Sequence, residues 1–288
     1  MQYSSPQRRN THIPGSSHTT VSSVGLRTIS ETYISGGSLA GQLRVASFNI
    51  RTSRGRDGRN GWRRRRDVSI AAIRGFSAEV VGLQEVRPDQ LADLHRAFPD
   101  AVIVGAGRDA DGGGEHASVL VPSGRWSVES SETRWLSPTP NQRGSRGWDA
   151  RLARVVTLVR LRDGSTRLGV ANTHFDHHGA LARERSAALI TEWLGQEREL
   201  PWVVLGDLNA LPASSPLRVF AAAGFTDALP QDAGGTEHAF TGATDRTRID
   251  YVLTGAGVAV SAAWISHDRP RGRLPSDHWP VLADVVVG

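Results

Sequence analysis

Carboxylate, amide and imidazole side chains stand at the ends of six short apolar stretches in this sequence. They are Asn49, Glu85, His174, Asp207 with Asn209, Asp250, and Asp277 with His278. Carboxylate and amide oxygens are hard ligands suited to Mg²⁺ or Mn²⁺. Histidines can donate hydrogen bonds to phosphate oxygens on which negative charge develops. Together these groups supply the parts needed for metal-assisted hydrolysis of a phosphoester.

Glu85 is the candidate ligand for a divalent cation. Mg²⁺ keeps several waters and takes only one or two protein carboxylates alongside substrate phosphate oxygens, so Glu85 backed by Asn49 and Asp277 would suffice. The chain contains no cysteine, which excludes a thiolate zinc site and a cysteine nucleophile. It also lacks a P-loop, a GxSxG elbow and an HExxH pair, so no other catalytic motif competes.

Asp207 and His278 are the candidates for proton transfer and phosphate contact. Asp207, next to the amide of Asn209, could take the proton of an attacking water. His278 could donate to phosphate once Asp250 or Asp277 fixes its tautomer. Taken singly, most of these residues are better explained by a turn, a strand end or a core histidine. Their joint occurrence at strand ends is what favours a catalytic site.

Short strands and amphipathic helices must position these groups. Apolar runs bounded by Gly, Pro, Asp or Asn predict strands at residues 43–48, 80–83, 101–104, 118–121, 155–161, 168–172, 202–205, 249–253, 258–265 and 281–287. Apolar residues at helical spacing predict helices at residues 62–76, 88–98, 181–194 and 215–223. About ten strands and four helices without a fixed repeat predict one α/β domain, with helices outside two sheets.

The first 42 residues show no periodic pattern. They are rich in Ser, Thr, Gly and Arg, and we expect a disordered tail or a misassigned start codon ahead of a catalytic domain at residues 43–288. Arg8-Arg9 is not followed by an apolar stretch, so no secretion signal is readable and a cytoplasmic location is expected. No run of 18 apolar residues occurs, so we expect no membrane span, and we expect a monomer.

All basic charge in this chain is arginine. The 34 Lys+Arg positions hold no lysine and face 29 acidic residues, which leaves a net charge of +5. Eight of these arginines fall within residues 51–66, directly after Asn49. This stretch is either an anion-steering rim for phosphate or nucleic acid, or a solvated loop and helix face.

Six ordered motifs give the chain a resemblance to a known family. They are Phe48-Asn49-Ile50, Gly82-Leu83-Gln84-Glu85, Asn172-Thr173-His174, Gly206-Asp207-Leu208-Asn209, Arg248-Ile249-Asp250-Tyr251 and Ser276-Asp277-His278. In this order they resemble the endonuclease/exonuclease/phosphatase superfamily over residues 43–287. The resemblance implies a DNase-like fold, which is a four-layer α/β sandwich of two central mixed sheets flanked by helices.

The resemblance also implies a metal site and its ligands. Glu85 would be the principal Mg²⁺ ligand, with Mn²⁺ as an alternative ion. Asn49 would support both the metal and the scissile phosphate, and Asp277 would lie near the metal.

The remaining motif residues would act on water and phosphate. By resemblance, Asp207 would orient or deprotonate the nucleophilic water, and Asn209 would stabilise the transition state. His278, oriented by Asp250, would contact the phosphate, and His174 would be a second donor. The attacking group would be water, so no covalent intermediate with the protein is expected.

Further motifs resemble small bacterial members of the family. They are Asn60-Gly61-Trp62, Gly147-Trp148-Asp149-Ala150 and Thr173-His174-Phe175-Asp176-His177. The resemblance makes four residues candidate substrate contacts at the mouth of the site: Trp148, Asp149, Arg154 and Asp176. The alternative for these residues is a buried tryptophan and an ordinary loop.

The sequence therefore predicts a divalent-metal-dependent phosphoesterase. The substrate would be a phosphodiester or phosphomonoester, on a small or lipid-linked molecule. A nuclease acting on DNA or RNA is the alternative, because it would use the same catalytic groups. An inactive binding module is disfavoured because Glu85, Asp207 and His278 are all present.

Overall fold

The computed structural model describes residues 41–288, which form twelve β-strands and four α-helices. The strands are β1 (Gln42–Asn49), β2 (Val80–Val86), β3 (Val102–Val104), β4 (His116–Val121), β5 (Ser127–Trp135), β6 (Val155–Asp163), β7 (Thr166–His174), β8 (Trp202–Asp207), β9 (Thr226–Asp227), β10 (Asp250–Thr254), β11 (Val258–Ile265) and β12 (Val281–Val287). The helices are α1 (Trp62–Gly75), α2 (Pro88–Ala97), α3 (Ala180–Gly195) and α4 (Ser215–Ala222). The predicted N-terminal tail, residues 1–42, lies outside the described residues except for Gly41 and Gln42. Gln42 begins β1, one residue earlier than predicted.

The strands form two six-stranded sheets. The first has the order β11-β12-β1-β2-β4-β3, and the second has the order β5-β6-β7-β8-β10-β9. Both sheets are mixed, because β1 runs parallel to β2 and β7 runs parallel to β8, while every other pair is antiparallel. The predicted α/β fold of two mixed sheets is confirmed.

Apolar side chains separate this fold into four layers. Val45 and Val170 belong to the cluster between the two sheets. Three residues further along β1, Phe48 points to the opposite face, where α1 and α2 cover the first sheet. On the second sheet, Val204 packs with Ile190 and the other apolar residues of α3 and α4. The sandwich with external helices therefore follows from strands that are apolar on both faces.

Two strands were absent from the sequence-based prediction. Strand β5 is mostly polar and exposed, and it lies at the edge of the second sheet against β6. Glu129 of this strand binds Arg162 and Arg167, so ion pairs accompany its pairing, and Trp135 at its end is buried. Strand β9 has only two residues, which is too short for any periodic pattern. No helix among residues 41–288 is long and apolar enough to cross a membrane.

Candidate active site

Strand direction brings the predicted site residues to one edge of the sandwich. In the first sheet, Asn49 ends β1 and pairs with Gln84 of the parallel strand β2, next to Glu85 near the end of that strand. In the second sheet, His174 and Asp207 are direct partners where β7 and β8 end. Asp250 begins the antiparallel strand β10 directly opposite Asp207. Carboxyl ends of parallel strands meet at the same edge, so residues distant in sequence become neighbours.

Asn49 connects the two sheets through its carboxamide. Its Nδ2 donates to Glu85 Oε1 at 3.1 Å and to Asp207 Oδ2 at 2.9 Å. Its Oδ1 accepts a hydrogen bond from the backbone N–H of Arg51 at 2.9 Å. The side chain is fully buried. Because both N–H groups of this amide are used, it holds the two carboxylates at a fixed separation.

Glu85 occupies a β-bulge with an unusual backbone conformation. The register between β2 and β4 shifts between Leu83 and Val86, and Glu85 has a φ of 63°. A non-glycine residue in this region is strained, and bulges commonly redirect a side chain next to an active site. Glu85 Oε2 accepts the backbone N–H of Thr52 at 2.6 Å, which fixes the redirected carboxylate.

His278, Asp250 and Asp207 form a buried cluster. His278 Nδ1 lies 2.8 Å from Asp250 Oδ2 and 4.0 Å from Asp207 Oδ2. Burial alone would lower the pKa of His278, but attraction to Asp250 outweighs it and raises this pKa well above the ordinary value. Burial, with repulsion from Asp250, raises the pKa of Asp207 to about 7. Asp207 is therefore a stronger base than an exposed aspartate.

His174 adjoins the same carboxylate from the other side. Its Nε2 lies 3.5 Å from Asp207 Oδ2. Burial, together with the cations Arg154 and Arg108, holds the pKa of His174 well below its ordinary value. Arg154 is itself buried and lies 3.6 Å from Glu115, which Arg108 also binds at 2.5 Å. His174 is therefore neutral at pH 7 and can donate from only one ring nitrogen.

Asn209 and Asp277 complete the predicted set. Asn209 has a φ of 46°, and its backbone N–H donates to Asp207 Oδ1 at 3.0 Å. Its side-chain Nδ2 donates to the carbonyl of Phe175 at 3.0 Å. Asp277 Oδ2 lies 3.5 Å from Arg51 Nε. All eight predicted catalytic and metal-ligating residues therefore belong to the strand ends and loops of one edge.

The carboxylates of this edge form a donor set that suits a hard divalent cation. Among residues 41–288, the ligand atoms of Asp207, Asp250 and His278 lie within 4.8 Å of one another. His278 already pairs with Asp250, however, and one buried oxygen of Asp250 has no hydrogen-bond partner in the described part of the chain. Glu85 and Asp277 add two further carboxylates, which are ligands of the kind that a hard divalent cation prefers.

Asp149 and Trp148 lie on the loop that meets the start of α3. The Asp149 carboxylate accepts the backbone N–H groups of Leu181 at 3.2 Å and Ala182 at 2.6 Å, in the first turn of this helix. Trp148 has a φ of 57° and an exposure of 36%. The structure thus gives Asp149 a helix-capping contact and leaves Trp148 accessible, and their roles as substrate contacts stay predictions.

Asp176 ties two loops together. Its Oδ1 accepts the backbone N–H groups of His178 at 2.9 Å and Gly179 at 2.7 Å, and its Oδ2 accepts that of Leu152 at 3.0 Å. Burial acts to raise the pKa of Asp176, but these backbone donors outweigh it and lower the pKa to about 2. The carboxylate is 2% exposed, so its contacts are with the protein backbone. Substrate contact by Asp176 stays a prediction.

The arginine-rich stretch divides into paired, buried and exposed side chains. Arg51 pairs with Asp57 at 3.1 Å, Arg66 pairs with its neighbour in sequence, and Arg65 is fully buried. The exposed arginines, which form no ion pair within the described residues, are Arg54, Arg56, Arg59, Arg63 and Arg64. Three of them, Arg54, Arg63 and Arg64, line a surface cavity of about 430 Å³.

Gln84 and Asn172 stand in the quoted motifs, but sequence reasoning gave no role to these residues, which support the site from behind. Gln84 Nε2 donates to Asn172 Oδ1 at 2.7 Å, and Asn172 Nδ2 donates to carbonyls of β2 and β4, so this amide pair joins the sheets beneath the site. A Cβ at Gly82 would lie 2.7 Å from Asn172 Oδ1, which explains the glycine there. Arg65 and Ser69 lie on the buried face of α1, three and seven residues after Trp62. Polar residues at this helical spacing are a sequence signal for buried polar contacts.

The fold and this edge define a hydrolase of the phosphoesterase and nuclease class. The chain belongs to the Endonuclease/Exonuclease/phosphatase family, whose model matches residues 46–278. Members of this family typically depend on divalent metal ions. The resemblance read from the six motifs is therefore confirmed.

Solved structures of bacterial proteins resemble this chain along almost their whole length. An endonuclease/exonuclease/phosphatase from Bacteroides vulgatus is 31% identical, covers 86% of this chain and 99% of its own, and has a TM-score of 0.77. A family protein from Bacteroides thetaiotaomicron is 28% identical over 86% of this chain and 98% of its own, with a TM-score of 0.79. The mannosyl-6-phosphatase of the same organism is 29% identical over 85% and 99%, with a TM-score of 0.78. A comparison with curated proteins gives no match.

Proposed function

We propose that this protein is a divalent-metal-dependent phosphoesterase that hydrolyses a phosphomonoester of a small molecule by direct attack of water. The observation that carries the proposal is the buried network in which Asn49 links Glu85 to Asp207. Around this network lie the carboxylate that we propose as metal ligand, the carboxylate that we propose as general base, and two imidazoles. The eight residues proposed for chemistry are Asn49, Glu85, His174, Asp207, Asn209, Asp250, Asp277 and His278.

Asp207 acts as the general base in this proposal. Its raised pKa, about 7, matches the task of accepting a proton from water near neutral pH. The water oxygen forms a bond to phosphorus while the bond from phosphorus to the alcohol oxygen breaks, and the released alkoxide takes a proton from solvent water. The proton of the water passes to Asp207 Oδ2, which lies next to Asn49 and His174.

Two histidines face the charge that develops on phosphate. His278 binds Asp250 through Nδ1, which leaves Nε2 as the donor available to a phosphate oxygen. Its raised pKa keeps it cationic at neutral pH, so the hydrogen bond is charge-assisted. His174 is neutral and offers one further N–H. Donors fixed before the reaction stabilise the transition state without reorganisation.

Glu85 would hold the metal, with Asn49 and Asp277 beside it. A bound Mg²⁺ or Mn²⁺ would neutralise charge on the phosphate and polarise it as a Lewis acid. The backbone strain at Glu85 supports this role, since strained positions cluster where a side chain must be aimed.

The relatives support a phosphomonoester as the substrate. One relative of 29% identity is a mannosyl-6-phosphatase, and it is covered over 99% of its own length. The exposed Trp148 on the loop next to α3 offers an aromatic face of the kind that packs against a sugar ring. We therefore place phosphorylated sugars first among the small-molecule substrates.

Nuclease activity is the second candidate, and one observation favours it. The cavity lined by Arg54, Arg63 and Arg64 is also lined by Ser53. Ser53 directly follows Thr52, whose backbone N–H donates to Glu85. A nucleic acid strand with its cleaved phosphate at Glu85 could place a neighbouring phosphate in this cavity. Against it, no exposed aromatic side chain lines this cavity for base stacking.

Substrate classes are separated by parallel assays of the full chain. p-Nitrophenyl phosphate, bis-(p-nitrophenyl) phosphate, mannose 6-phosphate and plasmid DNA are each incubated with EDTA, Mg²⁺ or Mn²⁺. Metal-dependent release of phosphate from the monoesters, without nicking of plasmid, supports the proposal. Nicking that weakens steeply with salt, together with inert monoesters, would replace it with the nuclease. Activity that persists in EDTA would contradict the metal-dependent chemistry.

A further inference from the structure

Arg65 carries a buried positive charge that the proposed chemistry does not use. It lies on α1 and is fully buried, yet no carboxylate among residues 41–288 forms an ion pair with it. Its guanidinium donates to five oxygens: Ile50 O at 2.5 Å, Arg51 O at 2.5 Å, Asn60 O at 2.9 Å, Pro275 O at 3.1 Å and Ser69 Oγ at 3.3 Å. Burial lowers the pKa of Arg65 to about 10, so it remains charged at neutral pH. Burying a cation without an ion-pair partner costs free energy of desolvation, so we expect Arg65 to have a specific structural role.

One end of this guanidinium controls the segment that follows β1. The carbonyl of Arg51 accepts both Arg65 Nη2 at 2.5 Å and Gln90 Nε2 at 2.9 Å. Arg51 has a φ of 55°, a conformation that costs energy unless its surroundings hold it. The N–H of the same residue donates to Asn49 Oδ1 at 2.9 Å. Arg65 thus acts through the Arg51 backbone on the direction of the Asn49 carboxamide.

The other end reaches the segment that precedes β12. The carbonyl of Pro275 accepts Arg65 Nη1 at 3.1 Å and Ser69 Oγ at 2.5 Å. The next residue, Ser276, donates through Oγ to the carbonyl of Asn49 at 2.7 Å. Asp277 and His278 follow Ser276 directly. The Arg65 side chain therefore joins the segment after Asn49 to the segment that carries Asp277 and His278.

We propose that Arg65 is a positioning residue of the active site, which locks residues 49–51 to residue 275 and thereby sets the orientation of the Asn49 carboxamide. The effect on turnover rests on the proposed function, whereas the orientation of Asn49 does not. A planar guanidinium can donate to several carbonyls in fixed directions at once. An ammonium of equal charge lacks that fork, so lysine is not equivalent here.

The substitution Arg65→Lys tests this role because it keeps the charge. The matched control is Arg44→Lys at the opposite end of β1, where Arg44 binds Asp284 and the carbonyl of Phe76. Both variants are compared with the wild type by melting temperature, by kcat and KM for p-nitrophenyl phosphate with Mg²⁺, and by the side-chain NH₂ resonances of Asn49. These resonances are assigned through their loss in Asn49→Asp.

Arg65→Lys should lower kcat about 10- to 100-fold, with KM changed less than about threefold, since small misplacements in a site carry costs of this size. The Asn49 resonances should shift or broaden in this variant. Arg44→Lys should leave kcat and these resonances unchanged, even if its melting temperature falls as much as that of Arg65→Lys. An unchanged kcat and unchanged Asn49 signals in folded Arg65→Lys would overturn the proposal. An equal loss of kcat in the control would do the same.

A milder variant covers the case in which Arg65→Lys does not fold. Ser69→Ala removes the hydroxyl that donates to Pro275 and accepts from Arg65, and it should lower kcat by a smaller factor with the same shift at Asn49. Unperturbed Asn49 signals in Ser69→Ala would count against the proposal. If the wild type hydrolyses no phosphoester, the proposed function fails, while the NMR comparison still decides the positioning role.

Discussion

His278 and Asp250 form a buried pair in which His278 Nδ1 lies 2.8 Å from Asp250 Oδ2, and the two side chains are 7% and 0% exposed. The pair comes from segments 28 residues apart, one opening β10 and the other preceding β12. With Nδ1 engaged, the imidazole can present only Nε2 to a substrate. The carboxylate therefore determines both the orientation and the charge of the histidine.

Asp250→Asn should lower kcat about 100-fold or more, because the amide preserves shape but no longer stabilises the imidazolium. KM should change much less. Steady-state kinetics on p-nitrophenyl phosphate with saturating Mg²⁺ measure both values, and a thermal melt checks that the variant is folded. Wild-type turnover from a folded Asp250→Asn variant would show that His278 needs no carboxylate partner.

Trp148→Gly should separate a substrate role from a packing role. Glycine adopts the φ of 57° without the cost that tryptophan bears, roughly 1–3 kcal/mol, so the melting temperature should not fall. If the indole packs against substrate, KM for a sugar phosphate should rise about tenfold, equal to about 1.4 kcal/mol. Unchanged KM together with a lower melting temperature would assign Trp148 to the structure of the loop alone. Trp148→Ala, which retains the strain, is the matched comparison.

Asp176→Asn should destabilise the fold most at neutral pH. The amide nitrogen meets a backbone N–H where an oxygen stood, and losing such a buried hydrogen bond costs about 1–3 kcal/mol. The folded pKa of Asp176, about 2, lies below its ordinary value of 3.8, so the carboxylate stabilises the fold above about pH 4 and loses this contribution as the pH falls towards 2.

Urea unfolding of both proteins between pH 7 and pH 3 checks this dependence. The difference in unfolding free energy should be largest at pH 7 and should shrink below pH 4. A difference that stays constant with pH would mean that the charge of Asp176 contributes nothing and that only its shape matters.

Much of the scaffold is readable from local pattern. The observed bounds of β11 and β12 are the predicted ones, because each strand is an apolar run that lies between turn residues. Edge strand β5 is not readable, since its exposed polar residues gain their stability from pairing with β6. Helix bounds agree within one residue, because the apolar face of each helix packs on a sheet.

The residues of the candidate site can be predicted from the sequence, but their arrangement in space can be predicted only in part. Parallel strand ends predict that Asn49 and Glu85 meet, and they do so through a hydrogen bond of 3.1 Å. The bulge that turns Glu85 into the site depends on pairing with β4, which the local sequence does not specify. Arg65 depends on a carbonyl 210 residues away, so only the folded chain shows what it binds.

The central claim is that Glu85 holds a catalytic divalent cation at this edge. The most direct test titrates Mg²⁺ into EDTA-treated wild type and Glu85→Gln while following hydrolysis of p-nitrophenyl phosphate. The wild type should be inactive without metal and should recover fully. Glu85→Gln should stay lower in kcat by at least about 100-fold, with a weakened dependence on Mg²⁺ and an intact fold. Equal activity and an identical Mg²⁺ titration in the two proteins would contradict this assignment.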